Sequence, residues 1–121
     1  MTANEAIKLA DGLKPNNHTS ANKLAWLSRL DEKIYHELFR THADAPDSFT
    51  TYTANTAELL VPEPWCGDVY NYYLQSMIDR ENGEIAKYNQ SAALFNQAYL
   101  EYCAFYNRTN APVPAESRFV F

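Results

Sequence analysis

The stretch that most constrains the fold covers residues 65–106, which hold most of the aromatic residues of the chain. In its second half, apolar and aromatic side chains recur at alternating steps of three and four residues, a spacing that places them on one face of an α-helix: Ile85, Tyr88, Ala92, Phe95, Tyr99, Tyr102 and Tyr106. The first half repeats this spacing at Tyr70, Leu74 and Met77, followed by Glu81. The stretch therefore predicts two helices, each with one face packed in a core.

The dipeptide Asn82-Gly83 separates these two predicted helices. Glycine adopts positive φ without steric strain and asparagine tolerates it, so this pair is typical of a helix end at which the chain folds back. We therefore predict a turn and a helical hairpin. A kink within one long helix is the alternative.

The length and composition indicate one globular domain. A chain of 121 residues with 46% hydrophobic residues is long enough to bury a core without metal or disulfide support. The net charge of -5 argues against nucleic acid as the main partner, because duplex binding uses Lys and Arg to neutralise phosphates. No apolar run approaches the ~20 residues that span a bilayer, so we expect no membrane association.

Two further helices are predicted in the first 40 residues. Thr2 and Glu5 have the spacing of a capping box, which predicts a short first helix closed at Gly12. Ser20 is a plausible N-cap for a second helix over residues 21–39. Its apolar residues form one stripe that should face the core: Leu24, Leu27, Leu30, Ile34 and Leu38.

The middle and the end of the chain are predicted to be less helical. Residues 49–61 are rich in β-branched and aromatic side chains and predict a β-hairpin with arms at 49–53 and 57–61 around Ala54-Asn55. Two prolines follow, and the third helix should begin between residues 63 and 69. The predicted fold is therefore mainly α: a small helical bundle over residues 1–110, with a β-hairpin insertion at about 49–61 and an extended C-terminal tail over residues 111–121.

Few residues suggest chemistry. Glu32 and His36 stand four residues apart and could supply two metal ligands from one helical face, but no third ligand is evident. Asp79, Glu81 and Glu84 cluster near Asn82-Gly83, and we interpret them as a solvated helix junction rather than as acid-base groups. We expect no enzyme activity, no catalytic residue, no cofactor and no metal.

The cysteines and the tyrosines are each compatible with two interpretations. Cys66 and Cys103 are not in a CxxC motif, and no signal-peptide pattern precedes them, so we expect free thiols in a reducing compartment, with a disulfide as the alternative. The nine tyrosines fit core positions and interface positions equally well.

Residues 59–108 resemble small proteins from the structural-gene region of tailed phages and prophages. The shared pattern is a leucine-rich lead-in to Pro-Glu-Pro, then Tyr-x-Tyr-Tyr-Leu, Asn-Gly-Glu, Ala-Leu-Phe-Asn and Tyr-Asn-Arg. Residues 24–38, LAWLSRLDEKIYHEL, resemble the Trp-Leu-x-x-Leu-Asp segment that precedes this pattern. The order of the predicted elements is similar to that of the head-tail adaptor (connector) proteins of long-tailed phages.

The resemblance implies a structural protein of the virion. In such a role, a homo-oligomeric ring of about twelve subunits, joined by one repeated contact, lies in the neck between the portal protein and a tail-side neck or tail-completion protein. DNA would pass through the ring without sequence-specific binding. The chain would be found in the host cytoplasm only during assembly.

The partner contacts expected for such a ring fall in two segments. The tail ends in apolar residues, so Arg118, Phe119, Val120 and Phe121 are expected to dock on the portal. Phe49 and Tyr52, in the predicted hairpin, are expected to contact a neighbouring subunit. The alternative function is a small helical phage or host protein-binding, regulatory or assembly factor that is not present in the particle.

Overall fold

A computed structural model describes residues 1–41 and 48–109, and this part of the chain folds into four α-helices. The helices are α1 (Ala3–Leu13), α2 (Ser20–Glu37), α3 (Cys66–Glu81) and α4 (Ile85–Thr109), and a short 3-10 turn, Phe39–Thr41, follows α2. The prediction of a mainly α-helical bundle is confirmed. The predicted tail over residues 111–121, with Arg118, Phe119, Val120 and Phe121, lies outside the described residues.

The first two helices begin at side-chain caps. The Thr2 hydroxyl accepts a hydrogen bond from the Glu5 N–H, and the Glu5 carboxylate accepts one from the Thr2 N–H, so the predicted capping box is confirmed. Helix α2 is capped by Thr19, whose hydroxyl accepts from the Asn22 N–H at 3.1 Å. Ser20, the predicted cap, is instead the first helical residue, because the preceding hydroxyl already satisfies the exposed N–H groups.

Helix α3 lies at the centre of the bundle and packs against each of the other three helices. Its residues Val69, Tyr70, Leu74 and Ile78 are fully buried. The predicted stripe of α2 is buried against them, and this part of the prediction is confirmed: Leu24, Leu27, Leu30, Ile34 and Leu38. The core is therefore built around a helix whose sequence already carried the apolar periodicity.

A tight turn joins α3 to α4 and settles the geometry of Asn82-Gly83. Gly83 has a φ of +74°, which favours glycine, and the Glu84 N–H donates to the Asp79 carbonyl at 2.9 Å. The chain folds back here, as predicted, and α4 runs along α3. The predicted face of α4 is buried or half-buried except at Ile85, which is 73% exposed at the start of the helix.

The predicted β-hairpin over residues 49–61 is wrong. A turn does form at residues 54–57, where the Ala57 N–H donates to the Ala54 carbonyl, but no strand occurs within residues 48–109. The backbone groups that a hairpin ladder needs are bonded elsewhere: the Ala57 carbonyl accepts from the Ala3 N–H, and the Leu59 N–H donates to the Met1 carbonyl. The segment is thus an irregular loop fixed to the start of α1 and to the core.

The burial of the α2 stripe leads to a stability prediction. Leu30 is 6% exposed, so Leu30→Ala should lower the free energy of unfolding by about 2–4 kcal/mol, through lost burial and a residual cavity. The matched control is Leu13→Ala, at a residue that is 62% exposed, which should change it by less than about 0.5 kcal/mol. Urea unfolding of both variants tests this, and equal effects would show that the face of α2 is assigned wrongly.

Candidate functional site

A buried carboxylate, Asp31, holds the loop before α3 against α2. Its side chain is inaccessible to solvent and accepts hydrogen bonds from the Tyr52 hydroxyl, the Leu60 N–H and the Tyr70 hydroxyl, at 2.5, 3.0 and 2.7 Å. Tyr70 in turn accepts from the Val61 N–H at 2.9 Å. Burial raises the pKa of Asp31, and these hydrogen bonds only partly oppose that shift. The network fixes the fold rather than offering a reactive group to solvent.

This network also accounts for two of the residues predicted to bind a partner. Tyr52 is half-buried, its hydroxyl donates to Asp31, and its N–H donates to the Ser28 hydroxyl at 3.1 Å. Burial, then the charge of Asp31, raise the pKa of Tyr52. Phe49 packs edge-to-face on Tyr52 with ring centroids 5.2 Å apart. Phe49 also lies beside Tyr35 of α2, with ring centroids 6.4 Å apart, so both residues face α2 of their own chain, and their contact with a neighbouring subunit stays a prediction.

A second buried carboxylate, Asp79, joins three helices near the α3–α4 turn. Lys14, just after α1, places its Nζ 2.7 and 2.6 Å from the two carboxylate oxygens, and the Ser91 hydroxyl of α4 donates at 3.0 Å. The interpretation of this region as a solvated junction holds for Glu81 and Glu84, which are exposed, and is wrong for Asp79, which is fully buried.

A concave surface with a volume of about 420 Å³ lies between α2 and α3. From α2 it is lined by Arg29, Glu32, Lys33, His36 and Glu37. From α3 it is lined by Tyr73, Met77 and Arg80. We call this feature, defined by these eight residues, the cationic groove. Glu32 and His36, which are four residues apart and were considered as two metal ligands without a third, lie on its α2 wall.

The positive charge of the groove is not neutralised by ion pairs. Arg29, Lys33 and Arg80 form no salt bridge with any residue in 1–41 or 48–109. Burial raises the pKa of Tyr73, while the charges of Arg29 on α2 and Arg80 on α3 oppose that shift. The Arg80 guanidinium also lies against the Met77 sulfur at 4.0 Å. The groove thus brings three cations and the carboxylates of Glu32 and Glu37 together beside the side chains of Tyr73 and Met77.

A smaller recess of about 140 Å³ lies between α3 and α4. It is lined by Asp68, Tyr72, Leu94, Gln97, Ala98 and Glu101. Asp68 and Glu101 are exposed and form no salt bridge within the described ranges, and Leu94 is 45% exposed. We call the surface formed by Asp68, Tyr72, Leu94, Gln97 and Glu101 the acidic recess. It was not recognised in the sequence, because its two carboxylates come from different helices.

The other candidate groups do not assemble into a site. Cys66 and Cys103 are free thiols, and burial together with Glu63 raises the pKa of Cys66 to about 11. Across residues 1–41 and 48–109, no three His, Cys, Asp or Glu side chains are grouped so as to hold a metal ion. In that same part of the chain, no helix combines the length and apolar character needed to cross a membrane.

Comparisons of the chain with protein-family models, with curated proteins and with solved structures give no match. The assignment of a function therefore depends on the sequence pattern and on the geometry of the surfaces described above.

Proposed function

We propose that this chain is a virion structural protein of a tailed phage: a head-tail adaptor that forms a ring between the portal protein and the tail-side neck or tail-completion proteins. The resemblance of residues 59–108 to the adaptor pattern supports this proposal. The order of the helices, a short helix, a longer helix, a Pro-led helix and a final helix, supports it as well, whereas the β-hairpin expected between the second and third helices is absent from residues 49–61.

The observation that carries the proposal is the incomplete cover of α4. This helix is 25 residues long, yet only Ser91, Ala98 and Tyr102 are buried in it. Ile85, Leu94 and Leu100 are 73%, 45% and 66% exposed. Within residues 1–41 and 48–109, α4 packs along α3 and stacks Tyr106 on Phe39, and its exposed aliphatic side chains are the apolar area that a partner would cover.

In the proposed ring, about twelve copies repeat one contact around a channel that extends the portal. The net charge of -5 suits a channel wall that DNA crosses without binding, since like charges repel the phosphates. The apolar end of the tail, Phe119 to Phe121 with Arg118, is proposed to dock on the portal. The site of action is the virion neck, after assembly in the host cytoplasm.

The test is the copy number of the chain in purified particles from its source. Quantitative mass spectrometry is expected to find this chain in a near-equal ratio to the portal protein. As the control, a known non-structural protein of the same source should be depleted from the particles. Absence of the chain from the particle would overturn the adaptor proposal, and the regulatory or assembly factor would become the leading function.

A further inference from the structure

We infer that Asn82 is a site of non-enzymatic deamidation, and that the α3–α4 turn and His18 together set the rate of the reaction. The inference goes beyond the proposed function and does not depend on it. The chemistry of the Asn82-Gly83 pair, the backbone geometry of the turn and the contacts of the Asn82 side chain carry it.

Asn82 is the one asparagine of the chain that precedes a glycine. In deamidation, the backbone nitrogen of Gly83 gives up its proton and attacks the Cγ of Asn82, so that a C–N bond forms. The side-chain amide takes up a proton and leaves as ammonia. Water then opens the resulting five-membered succinimide at either carbonyl, which gives aspartate or isoaspartate. Glycine has no Cβ to hinder the attack, so an Asn-Gly pair favours this reaction.

The folded turn holds the pair in an unreactive geometry. It has the hydrogen bonds of a Schellman motif: the Gly83 N–H donates to the Arg80 carbonyl at 3.1 Å, and the Glu84 N–H donates to the Asp79 carbonyl at 2.9 Å. Ring closure requires the Cα–Cβ bond of Asn82 to eclipse the C–N bond to Gly83. A ψ of -2° at Asn82 eclipses that C–N bond with the backbone N–Cα bond instead. Asn82 must therefore rotate about ψ, and this rotation breaks both hydrogen bonds.

A contact from a distant segment adds a second restraint. His18, in the loop between α1 and α2, places its Nε2 3.0 Å from the Oδ1 of Asn82. The imidazole is positioned by the buried Trp26, with ring centroids 5.5 Å apart in an edge-to-face arrangement. The side-chain oxygen of Asn16 also accepts from the His18 N–H at 3.0 Å. The group that is attacked in deamidation is thus tied to the α1–α2 loop.

Opening of the turn exposes little buried surface. Residues 80–87 are all exposed, and a Cβ added at Gly83 would meet no atom within 4 Å. On the core side of the turn, the buried Ser91 hydroxyl donates to the buried Asp79 carboxylate at 3.0 Å and joins α4 to α3. The turn can therefore open between these two residues while the core stays folded, which is local unfolding at low cost.

Either product would weaken the turn. Aspartate places a new negative charge at the C-terminal end of α3, beside the exposed carboxylates of Glu81 and Glu84, where the helix dipole disfavours it. Isoaspartate carries the main chain through its Cβ, which lengthens the backbone and moves the N–H groups of Gly83 and Glu84 away from their acceptors. Deamidation at this position therefore loosens the connection between α3 and α4.

The test follows deamidation of the full chain in mildly alkaline buffer by peptide mapping. Trypsin releases residues 81–87, in which Asn82 is the only side-chain amide, and residues 88–108, in which Asn89 and Asn96 precede glutamine. Deamidation of Asn82 should be at least about tenfold slower in the folded chain than in concentrated urea, because two backbone hydrogen bonds must first break. Asn89 and Asn96 are internal controls and should react more slowly than Asn82 in urea.

Two variants separate opening of the turn from global unfolding. His18→Ala removes the second restraint and should raise the rate in the folded chain about fivefold, while its rate in urea should equal that of the wild type. Hydrogen exchange of the Glu84 amide should rise by the same factor, since both reactions need the open turn. Leu30→Ala, which destabilises the core through α2, is the control and should leave both rates unchanged in the folded chain.

Four results would each overturn the inference. Equal rates in the folded and the urea-unfolded wild type would show that the turn does not protect Asn82, and no faster reaction at Asn82 than at Asn89 and Asn96 in urea would contradict the chemistry. An unchanged rate in folded His18→Ala would remove His18 from the control of the reaction. Acceleration in Leu30→Ala as large as that in His18→Ala would show that deamidation requires global unfolding.

Discussion

Replacement of Asp31 by Ala is expected to lower the free energy of unfolding by about 3–5 kcal/mol. The substitution removes the acceptor of three donors: the Tyr52 hydroxyl, the Tyr70 hydroxyl and the Leu60 N–H. Tyr70 is fully buried, so its hydroxyl cannot bond to water instead. Chemical unfolding followed by far-UV circular dichroism measures the change.

The Asp31→Asn variant separates the hydrogen bonds from the charge. Asparagine keeps one acceptor oxygen for Tyr52 and Leu60, but its amide then faces Tyr70, so about 1–2 kcal/mol should be lost. Equal effects of Asp31→Ala and Asp31→Asn would show that the three hydrogen bonds contribute little. A loss of less than about 1 kcal/mol in Asp31→Ala would contradict the prediction directly.

The pH dependence gives an independent readout of the same carboxyl group. Burial raises the pKa of Asp31 in the folded chain above its ordinary value of 3.8, so the folded state binds the proton more tightly than the unfolded state does. Its contribution to stability is therefore fully present below that value and is lost as the pH rises through the raised pKa. As the pH rises above 3.8 and through the raised pKa, the stability of the wild type should fall relative to that of Asp31→Asn. If the stability of the wild type instead rises relative to that of Asp31→Asn, the pKa of Asp31 is lowered by folding and the prediction is wrong.

The helices could be predicted from the sequence because their signals are local. The capping box at Thr2, the apolar stripe of α2 and the Asn82-Gly83 turn each occupy a few consecutive residues or one helical face. The buried position of Asp31 is also visible in the sequence, since this residue lies between Leu27 and Ile34 at the spacing of the buried stripe. A carboxylate at a core position indicates a buried hydrogen-bond network.

The failed predictions depend on contacts between segments distant in the sequence. The composition of residues 49–61 favours strands, but their N–H and C=O groups bond to the start of α1 and to side chains of α2 and α3. The cationic groove combines residues of α2 with residues of α3 that follow 36 or more positions later. Only the packing of the helices brings these residues together.

The second large effect is expected at the ion pair between Lys14 and Asp79. Lys14→Met should lower the free energy of unfolding by about 3 kcal/mol, because a fully buried carboxylate would be left with the Ser91 hydroxyl as its remaining side-chain partner. The value lies at the lower end of the range for a broken buried pair, since Lys14 is 24% exposed and water can reach the gap. Lys87→Met is the matched control, because its contact with Glu84 is exposed, and it should change stability by less than about 0.5 kcal/mol.

The double variant Lys14→Met/Asp79→Leu shows whether the penalty comes from the unpaired charge. An apolar pair of similar volume leaves no carboxylate to desolvate, so the double variant should unfold within about 1 kcal/mol of the wild type and be more stable than Lys14→Met. Urea unfolding of the two single variants and the double variant completes the thermodynamic cycle. If the two losses simply add, the pair acts through packing, and the ion pair is not what joins α1 to the α3–α4 hairpin.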